Sequence, residues 1–197
     1  MKVAPAGYTP IIRLPWQVNV QPMRDALRAH PDLWNERTER TAPLDSPHHG
    51  LDDIWARFAD METMREDGSH TSKWYGAADL LPVRELVFPL MTAVRGEQLG
   101  GVLITRIRAG KQCRAHVDPG WHAGHYDKFA IQIDAEPDSQ AFCFVGHELR
   151  TAPGEVFWFN NHFTHWVTND GPVDRITLIV CIRTEHTPRS LTDAAHL

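Results

Sequence analysis

The stretch that decides the fold is "THWVTNDGPVDRITLIV", residues 164–180. Two runs with strand character, "THWVTN" and the longer "DRITLIVCIRT", flank the turn residues "NDGP". Val, Ile, Thr and Trp favour pleated strands, whereas Asn, Asp, Gly and Pro favour turns. The stretch therefore predicts a strand that leads through a turn into another strand.

The same pattern recurs throughout the sequence that follows residue 98. Four more short apolar runs, "GGVLITRIRAG", "DKFAIQID", "AFCFVG" and "GEVFWFN", are separated by turn signals such as "EPDS" and "APG". In "DKFAIQID" the residues Phe129, Ile131 and Ile133 share one face, as strand alternation requires. Six short strands at this spacing favour a sandwich or barrel closed by antiparallel pairing. We therefore predict a mainly β fold, a double-stranded β-helix (jelly roll, cupin-like).

The first half of the chain has a mixed pattern. "IIRLPWQV" predicts an edge strand because Pro15 cannot donate to a ladder, and "LDDIWARFAD" predicts another strand. "QPMRDALRAH" predicts a helix, and "LPVRELVFPLMTAVRG" predicts a second helix that ends at Gly96. We expect one domain over residues 1–197. Residues 1–97 would supply flanking helices and supporting strands, 98–183 the core and 184–197 a tail.

The stretch "RAHVDPGWHAGH", residues 114–125, contains candidate metal ligands. Because side chains alternate along an extended segment, His116 and Asp118 point the same way and can reach one ion. A third ligand must come from another strand that faces the same cavity. His165 is the best candidate, although His162 competes for this role. The step of ten residues from His165 to Arg175 favours His165.

Two imidazoles and one carboxylate on one side of a metal form the facial triad of non-haem Fe(II) oxygenases. Arg175 lies in an otherwise apolar strand, where a guanidinium needs an anion and its planar fork suits a carboxylate. Thr177, two positions further, points the same way and adds a hydroxyl donor. A dicarboxylate that chelates iron at one end and binds arginine at the other is 2-oxoglutarate. The sequence thus predicts Fe(II) and 2-oxoglutarate as cofactor and co-substrate.

His116, His165 and Arg175 together resemble the 2-oxoglutarate/Fe(II)-dependent oxygenase superfamily. Within it, "FWFNNHFTHWVTNDGPVDRITLIV" is most similar to the aspartyl/asparaginyl β-hydroxylase family, which has a Phe-x-His-x-Val-x-Asn segment followed by Arg. The resemblance covers residues 98–183 and fades in the first half. It implies a dioxygenase that hydroxylates an amino-acid side chain, in a peptide or as the free amino acid, with dioxygen as co-substrate.

The resemblance also assigns further positions. Thr105 falls where the family has a serine that contacts 2-oxoglutarate, and Lys128 where an arginine assists there. Two departures stand out. Animal members of the family have glycine where this chain has the carboxylate Asp118, and Ala130 replaces a second histidine near the co-substrate.

Other readings of the same residues stay open. A cupin-like metal enzyme that is not an oxygenase, or a small-molecule sensor, would share the fold and ligands but would not need Arg175. A β-sandwich with an incidental histidine cluster would bind no metal tightly. Beyond Pro119 we expect a loop at the cavity mouth, with His122 and His125 in substrate contact or solvated and Trp121 as an aromatic wall. "SPHHG", residues 46–50, is expected to be a surface loop.

Composition excludes some classes of function. The net charge is −5, with no Lys/Arg-rich stripe, so we expect no nucleic-acid partner. No run approaches the roughly 20 apolar residues of a membrane span, and we expect a cytoplasmic protein without membrane contact. Cys113, Cys143 and Cys181 are widely spaced, which is typical of reduced core thiols.

Overall fold

A computed structural model describes residues 1–184 of the 197-residue chain. This range contains eleven β-strands and four α-helices. The strands are β1 (Ile11–Gln17), β2 (Asp52–Ala59), β3 (Ser72–Trp74), β4 (Gly96–Ile107), β5 (Gln112–His116), β6 (Asp127–Asp134), β7 (Gln140–Phe144), β8 (His147–Leu149), β9 (Glu155–Phe159), β10 (His165–Asn169) and β11 (Arg175–Thr184). The helices are α1 (Gln21–Ala29), α2 (Ala77–Leu80), α3 (Val83–Ala93) and α4 (Gly120–His125). The predicted tail, residues 184–197, lies outside the described residues except for Thr184.

The strands form two antiparallel sheets. The larger sheet has the order β1-β9-β6-β11-β4-β2-β3, and the smaller has the order β5-β10-β7-β8. The two strands of the opening stretch, β10 and β11, are consecutive in sequence but lie in different sheets. The turn between them therefore carries the chain from one layer to the other, as a jelly roll requires.

Alternation along β11 divides the interior into two apolar clusters. Leu178, Val180 and Ile182 belong to the cluster that includes residues of α1 and α3, so the predicted flanking helices cover one face of the larger sheet. Ile179 packs on the opposite side, against the cluster that contains Phe142, Phe157 and Phe159. Burial of each such side chain contributes about 2 kcal/mol to folding. The second cluster includes residues of both sheets and extends to the candidate site.

Asn169 anchors the turn between the two layers. Its side-chain amide donates hydrogen bonds to the carbonyls of Ile107 and Val173, both at 2.8 Å. Its Oδ1 accepts from the Gln140 side chain at 3.0 Å and from the Gly171 amide at 3.2 Å. Because Asn169 is completely buried, these bonds replace water for every polar atom of its side chain.

Most predicted elements are confirmed, including β1 at a sheet edge, β2, α1 and α3. Two expectations are wrong. The described part of the chain from residue 96 onward has eight strands rather than six. The sequence of β5, QCRAH, is mostly polar, and β8 has only three residues, so neither shows an apolar strand pattern. Residues 120–125 form helix α4 rather than a loop. Its two glycines and missing side-chain cap conceal the helix in the sequence.

Candidate metal centre

His116, Asp118 and His165 converge where β5 ends and β10 begins. His116 and His165 are register partners in the smaller sheet, and their ring centroids lie 4.3 Å apart. Asp118 follows β5 directly, and its Oδ1 lies 3.2 Å from Nε2 of His116. One potential ligand atom from each residue lies within 4.8 Å of the other two. The structure thus brings together the three residues that the sequence singles out.

Backbone carbonyls orient both imidazoles. Nδ1 of His116 hydrogen-bonds to the carbonyl of Arg114 at 2.7 Å, and Nδ1 of His165 to that of Phe163 at 3.0 Å. Because a carbonyl only accepts, each Nδ1 carries the hydrogen, and Nε2 is the nitrogen left to bind a metal. The same local arrangement, a carbonyl two residues earlier, fixes both rings.

The electrostatics of the cluster favour an ionised carboxylate. Burial raises the pKa of Asp118, but the hydrogen bond from His116 and the charge of Lys128 outweigh it and hold this pKa well below its usual range. Burial opposes the charging of His116, yet hydrogen bonds with Asp118 and Cys113 raise its pKa to about 10. Burial lowers the pKa of His165 to about 4. Asp118 therefore carries a negative charge that a cation can neutralise.

Asn161 holds Asp118 in place. Its side-chain amide donates to Oδ2 of Asp118 at 3.1 Å, and its carbonyl accepts from the Asp118 amide, also at 3.1 Å. Asn161 is buried, whereas the neighbouring His162 is exposed and lies outside the cluster. Sequence reasoning missed Asn161, although it precedes His165 in the same "NNHFTH" segment.

The cluster opens into a cavity of about 460 Å³. Besides the three clustered residues, the sequence-predicted Thr105, Lys128 and Thr177 line it. Strands of both sheets, helix α4 and the loop before β2 supply the other walls. These are Arg40, Pro47, His48, Phe58, Leu103, Ile107, Cys113, Val117, Pro119, His122, Ala123, Phe142, Phe159, Val167 and Ile179.

Lys128 and Thr105 already have protein partners. The buried Nζ of Lys128 lies 3.1 Å from Sγ of Cys181 and 3.9 Å from Oδ2 of Asp118. Burial lowers the pKa of Lys128, but Cys181 and Asp118 outweigh it and raise the value, so Lys128 is a cation beside the cluster. The Thr105 hydroxyl donates to Oδ1 of Asp53 at 2.8 Å.

Arg175 does not line the cavity. It is 1% exposed, and one terminal nitrogen donates to the Thr151 hydroxyl at 3.4 Å. Its Nε and Nη1 have no hydrogen-bond partner within residues 1–184. Burial lowers its pKa to about 10, so the guanidinium stays charged at neutral pH. Thr177, on the same face of β11, does reach the cavity.

The loop "SPHHG" is not wholly at the surface, so that expectation is wrong for His48. This imidazole lines the cavity, and its ring lies 5.0 Å from that of His116. Arg40, also unforeseen, contacts His48 Nε2 at 3.0 Å and Asp53 at 2.7 Å. These contacts tie the loop before β2 to the cavity wall. The residues that make them lie 8 and 13 positions apart across an irregular segment, where no helix or strand period relates them.

His48, Cys113 and His116 form a second group with metal-ligating atoms close together. Because Arg40 only donates hydrogen bonds, Nε2 of His48 must accept, and Nδ1 carries the hydrogen. Nδ1 lies 3.4 Å from Sγ of Cys113 and therefore presents an N–H rather than a lone pair. This tautomer disfavours a metal in the second group and leaves the cluster with Asp118 as the better site.

The two histidines of helix α4 have different surroundings. His122 lines the cavity, whereas His125 bonds to Gln98 at 3.1 Å and stacks on Trp121 at 4.3 Å. Trp121 is not among the described residues that line the cavity, so the expectation that it forms an aromatic wall is wrong; the phenylalanines in the lining are Phe58, Phe142 and Phe159.

Two further expectations concern the chain as a whole. All three cysteines are free and buried in the structure, as predicted. None of the helices within residues 1–184 has the length and apolar character needed to cross a bilayer.

No protein-family model matches the sequence, and neither does any curated protein. Several solved structures are similar in fold. An oxidoreductase of the 2OG-Fe(II) oxygenase family from Burkholderia pseudomallei is 14% identical, with a TM-score of 0.61 over 88% of this chain and 85% of that chain. AviO1 from Streptomyces viridochromogenes is 12% identical, with a TM-score of 0.57 over 91% of each chain. A prolyl-4-hydroxylase from Pseudomonas putida is 11% identical, with a TM-score of 0.53 over 90% and 94%.

At these identities the likeness establishes the fold. The mainly β jelly-roll architecture predicted from the sequence is confirmed, since the chain superposes on these structures over most of its length. The Burkholderia protein is described as a 2OG-Fe(II) oxygenase and the Pseudomonas protein as a prolyl-4-hydroxylase, and the narrower resemblance to aspartyl/asparaginyl β-hydroxylases is not confirmed by these structures.

Proposed function

We propose that this protein is an Fe(II)- and 2-oxoglutarate-dependent dioxygenase that hydroxylates an amino-acid side chain. The observation that carries the proposal is the convergence of His116, Asp118 and His165 on a cavity inside this fold. Two imidazoles and one carboxylate leave adjacent metal positions open, as oxygen activation with a chelating co-substrate requires. We assign these residues to one domain that extends over the whole chain.

The donor set fits Fe(II). His116 and His165 would each present Nε2, because a backbone carbonyl occupies Nδ1. Asp118 would contribute an ionised carboxylate whose Oδ2 is already held by Asn161. Nitrogen and carboxylate oxygen ligands suit non-haem iron. When bound, Fe(II) and 2-oxoglutarate supply the oxidising chemistry, in which dioxygen contributes one atom to the substrate and one to succinate.

Arg175 fits the remote carboxylate of 2-oxoglutarate. A fully buried guanidinium with two unpartnered nitrogens is costly unless an anion satisfies it. Thr177 and Thr105 would add hydroxyl contacts, and Lys128 a second positive charge near Asp118. The apolar walls, including Leu103 and Ile179, exclude water from the reacting groups.

A first experiment tests the metal and co-substrate. Fe(II) and 2-oxoglutarate are added without oxygen, and the weak visible charge-transfer band of the chelate is recorded. We expect the band in the wild-type protein and its loss in His165→Ala, with His162→Ala as the matched control that keeps it. Absence of the band in wild type, or its survival in His165→Ala, would overturn the proposal. Tight metal binding without the band would indicate a cupin-like metal enzyme or sensor instead.

A second experiment addresses the substrate. Succinate release is measured with free amino acids, with peptides that contain Asp or Asn, and with prolyl peptides. The first two sets are chosen because "FWFNNHFTHWVTNDGPVDRITLIV" resembles the aspartyl/asparaginyl β-hydroxylase family. The third set is chosen because the fold is similar to that of a prolyl-4-hydroxylase. Stimulated release with one set, together with a mass increase of one oxygen atom, would identify the substrate class.

A further inference from the structure

His122 has an unusual environment for a surface-helix histidine. It lies on α4, lines the cavity and is largely buried between the rings of Phe58 and Tyr126, at centroid distances of 5.5 and 4.7 Å. Its Nε2 is shielded from solvent and has no hydrogen-bond partner in the described part of the chain. A buried polar nitrogen without a partner is rare and calls for an explanation.

A chain of hydrogen bonds fixes the tautomer of His122. Nδ1 of His70 hydrogen-bonds to the carbonyl of Gly68 at 3.0 Å, so His70 must donate there. The lone pair of the other nitrogen, Nε2 of His70, is then left to accept, and Nε2 lies 3.2 Å from Nδ1 of His122. The two rings are nearly parallel, with an interplanar angle of 9° and ring centroids 5.3 Å apart. His122 therefore donates through Nδ1 and keeps a bare lone pair on Nε2.

The imidazole of His122 stays neutral at physiological pH. Burial, followed by the positive charge of Lys128, lowers its pKa to about 3. The carboxylate of Asp118 acts in the opposite direction but is outweighed by Lys128, so the local charge disfavours an ammonium group close to His122. A carboxylate cannot satisfy Nε2 either, because both groups only accept hydrogen bonds. The complementary partner is thus a neutral donor.

The surroundings of His122 define the rest of that partner. Phe58, Leu103, Ala123 and Ile179 contribute apolar surface to the same cavity. Gly101 makes room for Phe58, since a Cβ atom at Gly101 would lie 2.9 Å from the Phe58 ring. An apolar body would fill this space and would place its donor against a single fixed acceptor.

We infer that His122, held by His70, is a substrate-recognition residue, and that the substrate is a largely apolar molecule with a neutral N–H or O–H donor. The inference rests on the proposed function, since it assigns a substrate class to the same cavity. It favours an amide or hydroxyl group at this point over the ammonium of a free amino acid.

Matched probe pairs test the inference. Indole is compared with 1-methylindole, and benzyl alcohol with benzyl methyl ether, by anaerobic equilibrium dialysis on protein loaded with Fe(II) and 2-oxoglutarate. We expect each donor to bind about tenfold more tightly than its methylated partner, the value of one hydrogen bond. The preference should disappear in His122→Phe. It should persist in His125→Phe, because His125 lies on the same helix but does not line the cavity.

Three dialysis results would overturn the inference: equal affinities within both pairs in wild type, no measurable binding of either donor, or a preference that survives in His122→Phe. The nitrogen NMR spectrum of the wild-type imidazoles gives a test that needs no variant. It should show an unprotonated Nε2 for His122, and a protonated Nε2 would overturn the assignment.

The chelate band recorded on the same samples separates this inference from the proposed function. A normal band without donor preference would contradict the role of His122 alone. A donor preference without any band would contradict the oxygenase proposal and leave the recognition site standing.

Discussion

His116 and His165 face each other as register partners of β5 and β10, with ring centroids 4.3 Å apart. The ladder of the smaller sheet, rather than a flexible loop, therefore sets the distance between the two imidazoles. Because carbonyls of the same two segments hold each Nδ1, ring orientation is also fixed before any ion binds. Such a preorganised pair reduces the ordering that metal binding requires. The third member, Asp118, lies beyond the strand and depends on Asn161.

Replacement of Asn161 by Ala should weaken metal binding. The Asp118 carboxylate would lose the hydrogen bond to Oδ2 and gain freedom to rotate away from the histidines. Loss of such an orienting contact typically costs 10–100-fold in metal affinity. Titration with Co(II), followed by its visible absorption, measures this change without any turnover.

The neighbouring Asn160→Ala variant provides the control. The Asn160 side chain contacts Tyr8 and the His162 amide rather than Asp118. We expect wild-type Co(II) affinity in Asn160→Ala, and equal affinities in both variants would contradict the assigned role of Asn161.

Replacement of Arg175 by Met should separate co-substrate binding from folding. The variant removes a buried charge whose described contact is the neutral Thr151 hydroxyl and not an anion, so stability should be unchanged or increased. The affinity for 2-oxoglutarate should fall about 100-fold, because a charge-assisted contact is lost. Isothermal calorimetry under anaerobic conditions measures the affinity, and thermal unfolding measures the stability.

Arg183→Met is the matched control on the same strand, since Arg183 is half exposed and pairs with Glu97. If Lys128→Met abolishes 2-oxoglutarate binding while Arg175→Met does not, the anchor is Lys128. That outcome would agree with the cavity lining, which includes Lys128 and leaves out Arg175.

Residues whose positions follow from local pattern were predictable. Strand alternation placed His116 and Asp118 on one side, and the turn "NDGP" separated His165 from the strand of Arg175. The fold class followed from the same alternation, repeated over the second half of the chain. Both inferences use only period-2 geometry and turn chemistry, which act over a few residues.

Residues whose roles depend on tertiary contacts were missed. Arg40 and His48 come from an irregular loop, and Arg40 contacts both Asp53 and His48, contacts that no periodicity encodes. The loop predicted after Pro119 is helix α4, whose glycines weaken its signal. That helix turns His122 toward the cavity and His125 away from it. Sequence alone gave no reason to separate these two histidines.

Asp52 should make stability depend on pH. Burial raises its pKa, but hydrogen bonds from Arg108, Asn35 and Arg106 outweigh that effect and lower it below the usual value. Such a group adds stability above its unfolded pKa of about 4, and the contribution is lost as pH falls through the folded pKa. Asp52→Asn should therefore lower the free energy of unfolding by about 2 kcal/mol at pH 7.

Urea unfolding of wild type and Asp52→Asn between pH 7 and pH 3 measures this linkage. The difference in unfolding free energy between wild type and Asp52→Asn should be constant above about pH 5 and should become smaller below pH 4. The exposed Asp45→Asn variant should follow the wild-type curve. A difference for Asp52→Asn that stays constant down to pH 3 would show that Asp52 is not the linked group.

Replacement of Asn169 by Ala should destabilise the connection between the two sheets. Four hydrogen bonds converge on this buried side chain, and their loss removes the Asn169 donor from the Ile107 carbonyl and leaves the Val173 carbonyl with the Gln140 side chain as its side-chain donor. We expect a loss of about 3 kcal/mol, or a decrease in Tm of roughly 6–12 °C for a chain of this size. Thr168→Ala, one residue earlier on β10, should cost less than about 1 kcal/mol. Only Asn169 makes these four bonds. If both variants lost a similar amount of unfolding free energy, the cause would be the packing of β10 rather than the hydrogen bonds of Asn169.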